Sequence, residues 1–150
     1  MYQGLTFDEF QIGQKFVSNP ITVTDAHITF FAGLSGDFNP LHINEEFAKK
    51  TIFKGRIAHG LLTLTLTSGS LGMLVAGTAI AFLEMSVKFI APVKIGDTIY
   101  AEAIVKDKQY KEKYNGGIVI FQITIKNQRG EKVVEGEFKL LISSKRPESL

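Results

Sequence analysis

The chain has 150 residues, of which 45% are hydrophobic and 21% charged, and its formal net charge at pH 7 is +2. This balance is typical of one globular domain with a buried core, and the lysines and arginines form no basic stripe, so we do not expect nucleic-acid binding. Because the chain contains no cysteine, a disulfide framework, a thiolate metal site and a cysteine nucleophile are all excluded.

The start of the chain also bears on location. Residues 1–4 show neither the basic segment nor the apolar segment of a signal peptide. Together with the absence of cysteine, this favours a reducing compartment, and we predict a cytoplasmic protein. The chain shows no internal repeat, so we predict a single domain over residues 1–150.

The first part of the chain predicts a broken strand followed by a helix. Residues 15–23 alternate loosely around Asn19-Pro20, which is typical of an edge strand interrupted by its proline. Thr24 is suited to cap a helix that we place at residues 25–34. Gly36 stands where the left-handed residue after a helix is expected.

The segment after this helix, residues 35–42, gives the strongest functional signal. Gly36 and Pro40 prevent it from forming one regular element, and Asn39-Pro40 favours a turn. A chain that reverses between Asp37 and His42 brings a carboxylate and an imidazole to one cavity, which is what proton-transfer chemistry requires. Taken alone, Asp37 and Asn39 also fit a turn in which they bond to their own backbone.

A long uncharged stretch comes next, because residues 57–83 contain no Asp, Glu, Lys or Arg. Such a stretch is long enough to cross a bilayer. However, it contains four glycines and several Ser and Thr residues, and its helical rhythm ends before Gly77-Thr78. We therefore predict no membrane span and instead a helix over residues 60–75 that is buried on all sides.

The remainder of the chain predicts strands. Alternating apolar and polar residues occur over 79–90, 98–108, 118–125 and 133–142. The last three segments succeed one another at hairpin spacing, which indicates an antiparallel meander. A helix without a polar face can be buried by such a sheet if the sheet wraps around it. The predicted fold is α+β, with one long central helix inside a curved antiparallel sheet.

These features together resemble the MaoC-like dehydratase family, and within it the R-specific enoyl-CoA hydratases, which have the hot-dog fold. The resemblance rests on the string Ser-Gly-Asp-Phe-Asn-Pro-Leu-His at 35–42, on His-Gly-Leu-Leu at 59–62 and on the segment 88–97. It extends over residues 10–141.

The resemblance implies reversible hydration of trans-2-enoyl-CoA to (R)-3-hydroxyacyl-CoA, a reaction of fatty acid metabolism. Asp37 and His42 match the catalytic pair, Asn39 matches the asparagine that shapes their loop, and the N–H of Gly60 would face the thioester carbonyl. Thr65 departs from the pattern, since some members have a serine five residues after the glycine.

Further site residues are expected nearby. We place Leu62 and Thr65 at the substrate pocket, and Arg56 either at a coenzyme A phosphate or as an ordinary surface arginine. His59 has either a supporting or a structural role. No metal-ligand cluster and no G-x-G-x-x-G motif is apparent, so we predict no metal and no cofactor other than the coenzyme A thioester substrate.

Two alternatives share the expected fold. Hot-dog acyl-CoA thioesterases typically have an acidic residue on the central helix, whereas residues 60–75 contain none. The other alternative is an acyl-binding subunit of a heteromeric acyl carrier protein dehydratase, which an intact Asp37–His42 pair argues against only in part. Because hot-dog domains usually associate through exposed sheet edges, we expect a homodimer or a dimer of dimers.

Overall fold

A computed structural model describes residues 2–147 and shows an antiparallel sheet that curves around one long helix. The helices are α1 (Asp25–Ser35), α2 (Pro40–Ile43), α3 (Glu45–Ala48) and α4 (Gly60–Leu74). The strands are β1 (Lys15–Val17), β2 (Ile21–Thr22), β3 (Ala79–Phe89), β4 (Thr98–Lys111), β5 (Gly116–Lys126) and β6 (Lys132–Ser143). This is the predicted α+β hot-dog architecture.

The predicted meander is confirmed. β4, β5 and β6 pair antiparallel in chain order, and β3 returns to pair with β6, so that the order is β1-β4-β5-β6-β3. Every second residue of β5 from Val119 to Ile125 is buried, which is the period expected of a strand with one face on the core. Gly130 adopts φ +76° in the turn between β5 and β6, a conformation that favours glycine.

The predicted edge strand with a proline break is also confirmed. β1 and β2 are separate short strands on either side of Pro20, and both pair with β4. Proline has no N–H to donate to a sheet, so the pairing is interrupted where it occurs.

The prediction that the central helix is buried on all sides is wrong for the single chain. One face of α4 packs on the sheet through Leu62, Leu64 and Leu71, whereas Leu61 and Met73 on the other face are 61% and 70% exposed. The physical reason is that the sheet covers only one side of the helix. The exposed side is uncharged, and it carries Thr65 and Ser68 as well as Leu61 and Met73.

Strand β3 carries an apolar surface that is only partly covered. The alternating sequence predicted one apolar face for this strand. β3 lies at the edge of the sheet, and its residues Phe82, Met85 and Phe89 are exposed. Met85 stands opposite the buried Phe138 in the register, so both side chains lie on the helix side of the sheet. The apolar face of β3 therefore exists, but the described residues cover it only in part, since Phe82, Met85 and Phe89 each remain about half exposed.

Helix α1 begins and ends as predicted. The hydroxyl of Thr24 accepts the backbone N–H of His27, and Gly36 comes after the last turn with φ +78°. This left-handed residue turns the chain away from the helix axis. Among residues 2–147, no helix combines the length and the hydropathy that crossing a bilayer requires.

Candidate active site

The segment from Gly36 to His42 is organised by short-range hydrogen bonds. Asp37 Oδ1 accepts the backbone N–H of Asn39 at 3.2 Å, and Asn39 Oδ1 accepts that of Leu41 at 3.0 Å. Asn39 thus caps α2, and Pro40 occupies its first position, where its missing N–H costs nothing. The chain reverses here, and α2 presents His42 to the same side as Asp37.

Asp37 and His42 face each other across a small gap. Asp37 Oδ2 lies 3.9 Å from His42 Nε2, and the carboxylate is half exposed whereas the imidazole is buried. This separation is too long for a direct hydrogen bond. It suits two groups that hold one water molecule between them.

The second nitrogen of His42 has its own partner. His42 Nδ1 lies 2.8 Å from the carbonyl oxygen of Ile57. A carbonyl oxygen can only accept, so Nδ1 carries the proton and the lone pair of Nε2 is free to accept one. His42 is therefore oriented as a base towards Asp37.

His59 packs directly against this pair. Its ring stacks on that of His42 with centroids 3.8 Å apart and planes inclined by 29°, and its Nε2 lies 3.0 Å from the carbonyl oxygen of Asp37. The edge of the ring meets Phe31 at a centroid distance of 4.9 Å. The side chain is buried, and its Nδ1 has no hydrogen-bond partner among the described residues.

The same three side chains lie close enough together to raise the question of a metal ion. Asp37, His42 and His59 each place one potential ligand atom within 4.8 Å of the others. However, a metal ion lies close to the plane of each imidazole that binds it. The rings of His42 and His59 are stacked, so one ion cannot readily lie in the planes of both rings. His59 Nε2 also faces a carbonyl oxygen, which requires a proton there. The arrangement favours packing over shared ligation of one ion.

Gly60 begins α4 directly after His59 and lines a cavity. The first N–H groups of a helix have no partner within the helix, and they lie at the positive end of its dipole. A Cβ added at Gly60 would lie 2.7 Å from Phe89 Cε1, so the ring leaves no room for a side chain. The cavity has a volume of about 550 Å³, and its lining includes Ile57, Gly60, Leu61, Thr63 and Phe89.

Comparison with known proteins places the chain in a family. A sequence model of the MaoC like domain matches residues 9–123, which is more than half of the chain. The chain belongs to the MaoC-like family. This confirms the resemblance that the motifs at 35–42 and 59–62 indicated.

Individual MaoC-like proteins are similar over nearly the whole chain. An (R)-specific enoyl-CoA hydratase of Rhodospirillum rubrum is 37% identical over 139 residues, which are 93% of this chain and 92% of that protein. A solved structure of a monoamine oxidase regulatory protein from Archaeoglobus is 40% identical, with a TM-score of 0.87 and coverage of 97% and 99%. An unliganded R-hydratase from Pseudomonas aeruginosa is 31% identical, with a TM-score of 0.83 and coverage of 98% and 92%.

Two further predicted site residues, Leu62 and Thr65, lie on α4 but do not line the cavity beside Gly60. Leu62 is buried in the core, and its neighbours Leu61 and Thr63 line the cavity instead. Thr65 lies on the exposed face of α4, and its hydroxyl donates to the carbonyl oxygen of Leu61 at 2.7 Å. The sequence does not indicate which residues of α4 line the cavity, because this depends on the rotation of α4 about its axis relative to the sheet.

Arg56 has two carboxylate partners in the protein. Its guanidinium donates to Asp25 at 2.7 Å and to Glu45 at 3.1 Å, which links α1 to α3. The hydrogen bond to Asp25, more than that to Glu45, raises the pKa of Arg56 above its ordinary value although burial acts against this. In the single chain, Arg56 is thus part of an ion-pair network within the protein.

A second, smaller cavity lies farther along α4. Its volume is about 160 Å³, and it lies between Thr67, Leu71 and the sheet residue Phe138. Thr67 is seven residues from Gly60, or about 10 Å along the helix axis. This cavity is therefore distinct from the one that Gly60 lines.

Proposed function

We propose that the protein catalyses the reversible hydration of trans-2-enoyl-CoA to (R)-3-hydroxyacyl-CoA. The observation that carries the proposal is the facing pair of Asp37 Oδ2 and His42 Nε2 at 3.9 Å, with the lone pair of Nε2 directed at the gap. The names of the hydratases from Rhodospirillum rubrum and Pseudomonas aeruginosa support the reaction and its stereochemistry. Similarity to the hydratase of Rhodospirillum rubrum, together with membership of the MaoC-like family, indicates that the chain is a hydro-lyase.

In the proposed mechanism, one water molecule occupies the gap between Asp37 and His42. His42 Nε2 accepts a proton from this water while the water oxygen bonds to C3 of the alkene. Asp37 accepts a hydrogen bond from the second O–H of the water and so orients the molecule. The electrons of the C2–C3 double bond move towards the thioester oxygen. The pair then returns the proton to C2, so that water is added to one face of the substrate.

The negative charge that develops on the thioester oxygen needs stabilisation. We assign this task to the N–H of Gly60 at the positive end of α4. The absence of a side chain at Gly60 leaves room for the ring of Phe89 beside the start of the helix. The apolar cavity beside Gly60 has a volume in the range of small-molecule sites and would hold the part of the substrate next to the thioester.

Asn39 acts on loop shape, since its side chain caps α2 and its N–H bonds to Asp37. Leu62 acts through the packing of α4 on the sheet, Thr65 bonds to the backbone of its own helix, and Arg56 acts through the link between α1 and α3. We propose no metal and no cofactor in the reaction. We propose the cytoplasm as the location, which the absence of cysteine supports.

The proposed reaction is tested with crotonyl-CoA and with a longer trans-2-enoyl-CoA. We expect loss of the absorbance of the conjugated enoyl thioester, together with an (R)-3-hydroxyacyl-CoA product identified by chiral chromatography. Release of free thiol would instead show a thioesterase, and formation of the (S) product would contradict the proposed geometry. The same assay with enoyl groups on acyl carrier protein identifies the preferred carrier.

We also propose that two copies associate through the edge strand β3 and the exposed face of α4. The support is the apolar surface of Phe82, Met85, Leu61 and Met73, which the single chain leaves exposed, on a strand with a free edge. A homodimer would cover this surface, and a dimer of dimers would require a further contact.

The predicted dimer is tested by sedimentation or light scattering. We expect twice the mass of one chain for the unchanged protein, and the mass of one chain at micromolar concentration for Met85→Asp, because an unpaired charge would be buried in the contact. Ile52→Asp is the matched control, since Ile52 is an exposed apolar residue outside β3 and α4. A dimeric Met85→Asp variant would contradict this interface.

A further inference from the structure

We propose that His59 is a positioning residue that fixes Asp37 and His42 relative to each other through two separate contacts. One is a hydrogen bond to the main chain of Asp37, and the other is the stacking of its ring on that of His42. The inference rests on the proposed function, because it concerns the geometry of the pair that performs the hydration.

The first contact determines which nitrogen of His59 carries its proton. Nε2 lies 3.0 Å from the carbonyl oxygen of Asp37, and only a protonated nitrogen can bond to a carbonyl. A second proton, on Nδ1, would be buried without an acceptor among the described residues, which is unfavourable. His59 is therefore held as the Nε2–H tautomer, and its donor is directed at the exposed turn that carries Asp37.

The second contact limits the rotation of His42. The Nδ1–H of His42 is held by the carbonyl oxygen of Ile57 at 2.8 Å, and the face of the ring rests on His59 with a centroid distance of 3.8 Å. The hydrogen bond to Ile57 still permits the imidazole of His42 to rotate about that bond. The ring of His59, which lies against the face of the imidazole, opposes this rotation. The two contacts together direct Nε2 towards Asp37.

The two residues that hold His42, Ile57 and His59, come from one short segment of the chain. Ile57 and His59 belong to residues 57–60, which are anchored to the rest of the fold by the hydrogen bond from the N–H of Ala58 to the carbonyl oxygen of Val93 at 2.7 Å. The next residue, Gly60, begins α4. A single anchored segment thus positions the three groups that the proposed mechanism uses, which are the carboxylate, the imidazole and the helix terminus.

A purely structural role for His59 is the competing explanation. The ring is 3% exposed and packs against Phe31, so any replacement can lower the free energy of unfolding. That explanation predicts loss of stability with an unchanged kcat for each folded molecule. Positioning predicts a lower kcat with KM little changed, because His59 acts on Asp37 and His42 and not on the substrate.

Two replacements separate the two contacts. His59→Phe retains a ring against His42 and removes the N–H donor to Asp37, whereas His59→Gln retains an N–H donor and removes the ring. We expect each variant to lower kcat for crotonyl-CoA hydration by about 10²-fold, since misplacement of catalytic groups by about 1 Å has effects of this size. His27→Gln is the control, because His27 belongs to the N-terminal cap of α1 and glutamine also fits that position.

The outcomes are distinct. A kcat within about threefold of the unchanged protein, in either folded variant, would overturn the proposal, because both contacts are required. In the unchanged protein at pH 8, ¹⁵N–¹H spectra of the three histidine side chains should show the Nε2–H tautomer for His59 and the Nδ1–H tautomer for His42. In His59→Gln, the carbonyl oxygen of Ile57 is still present, so we expect His42 to keep the Nδ1–H tautomer while its ring becomes more mobile.

A proton on Nδ1 of His59 in the unchanged protein would overturn the inference even if neither variant folds. This measurement does not depend on activity, so it also separates the inference from the proposed reaction. Absence of hydration by the unchanged protein would overturn the proposed function, whereas the tautomers report the contacts of His59 in either case.

Discussion

Asp37→Asn and His42→Ala are each expected to lower kcat for enoyl-CoA hydration by about 10³-fold, within the range of general acid–base catalysis. The double variant should be no more than a few times slower than the slower single variant. The reason is that both groups act on the same water across a gap of 3.9 Å, so removal of either one disables the pair. Groups that act as a unit show such non-additive losses.

The measurement is a double-mutant cycle on the initial rate of crotonyl-CoA hydration, with circular dichroism to verify that each variant is folded. Asp8→Asn is the control, because Asp8 is an exposed carboxylate in another part of the fold and its loss should leave kcat unchanged. Multiplicative losses in the double variant would contradict the shared water and would indicate that Asp37 and His42 contribute in separate steps.

The convergence of Asp37 and His42 could be predicted because the cause is local. Gly36 must leave the helical conformation, Pro40 restricts the residue before it, and Asn39 can cap the short helix that begins at Pro40. A reversal within six residues then brings the two side chains to the same side. The alternation in β4, β5 and β6 is equally local, which is why the meander was predicted correctly.

The role of Arg56 and the stacking of His59 could not be predicted, because they depend on residues distant in sequence. The partners of Arg56 are Asp25 and Glu45, which come from two different helices. The ring of His59 meets His42 only because the segment before α4 packs against α2. No spacing rule links these positions, so composition and periodicity carry no signal of their contact.

The burial of α4 shows a different limit. The lack of charge in residues 60–75 predicted that every face avoids water, although Thr65, Ser68 and Ser70 lie on the face that is exposed. The single chain covers only one face. Hydrophobicity thus indicated that a surface is to be buried without indicating whether the same chain or a second copy covers it.

Gly60→Ala is expected to lower kcat/KM for enoyl-CoA hydration by about 10²-fold while leaving the fold intact. Alanine favours a helix more than glycine does, so the start of α4 is not weakened. The backbone N–H is also retained. However, the new Cβ would lie 2.7 Å from Phe89 Cε1 and 3.0 Å from Cδ1, so the ring of Phe89 has to move. Because Phe89 and Gly60 line the same cavity, we expect this movement to change the shape of the cavity.

A second substitution tests this cause. In Gly60→Ala combined with Phe89→Ala, the ring that collides with the Cβ is absent, so we expect kcat/KM to recover at least tenfold relative to Gly60→Ala alone. Gly33→Ala is the matched control, since Gly33 lies in α1 with no atom within 4 Å of an added Cβ. It should raise the free energy of unfolding by up to about 1 kcal/mol and leave kcat/KM unchanged. If the double variant shows no recovery, the Cβ itself obstructs the thioester, and the displaced ring is not the cause.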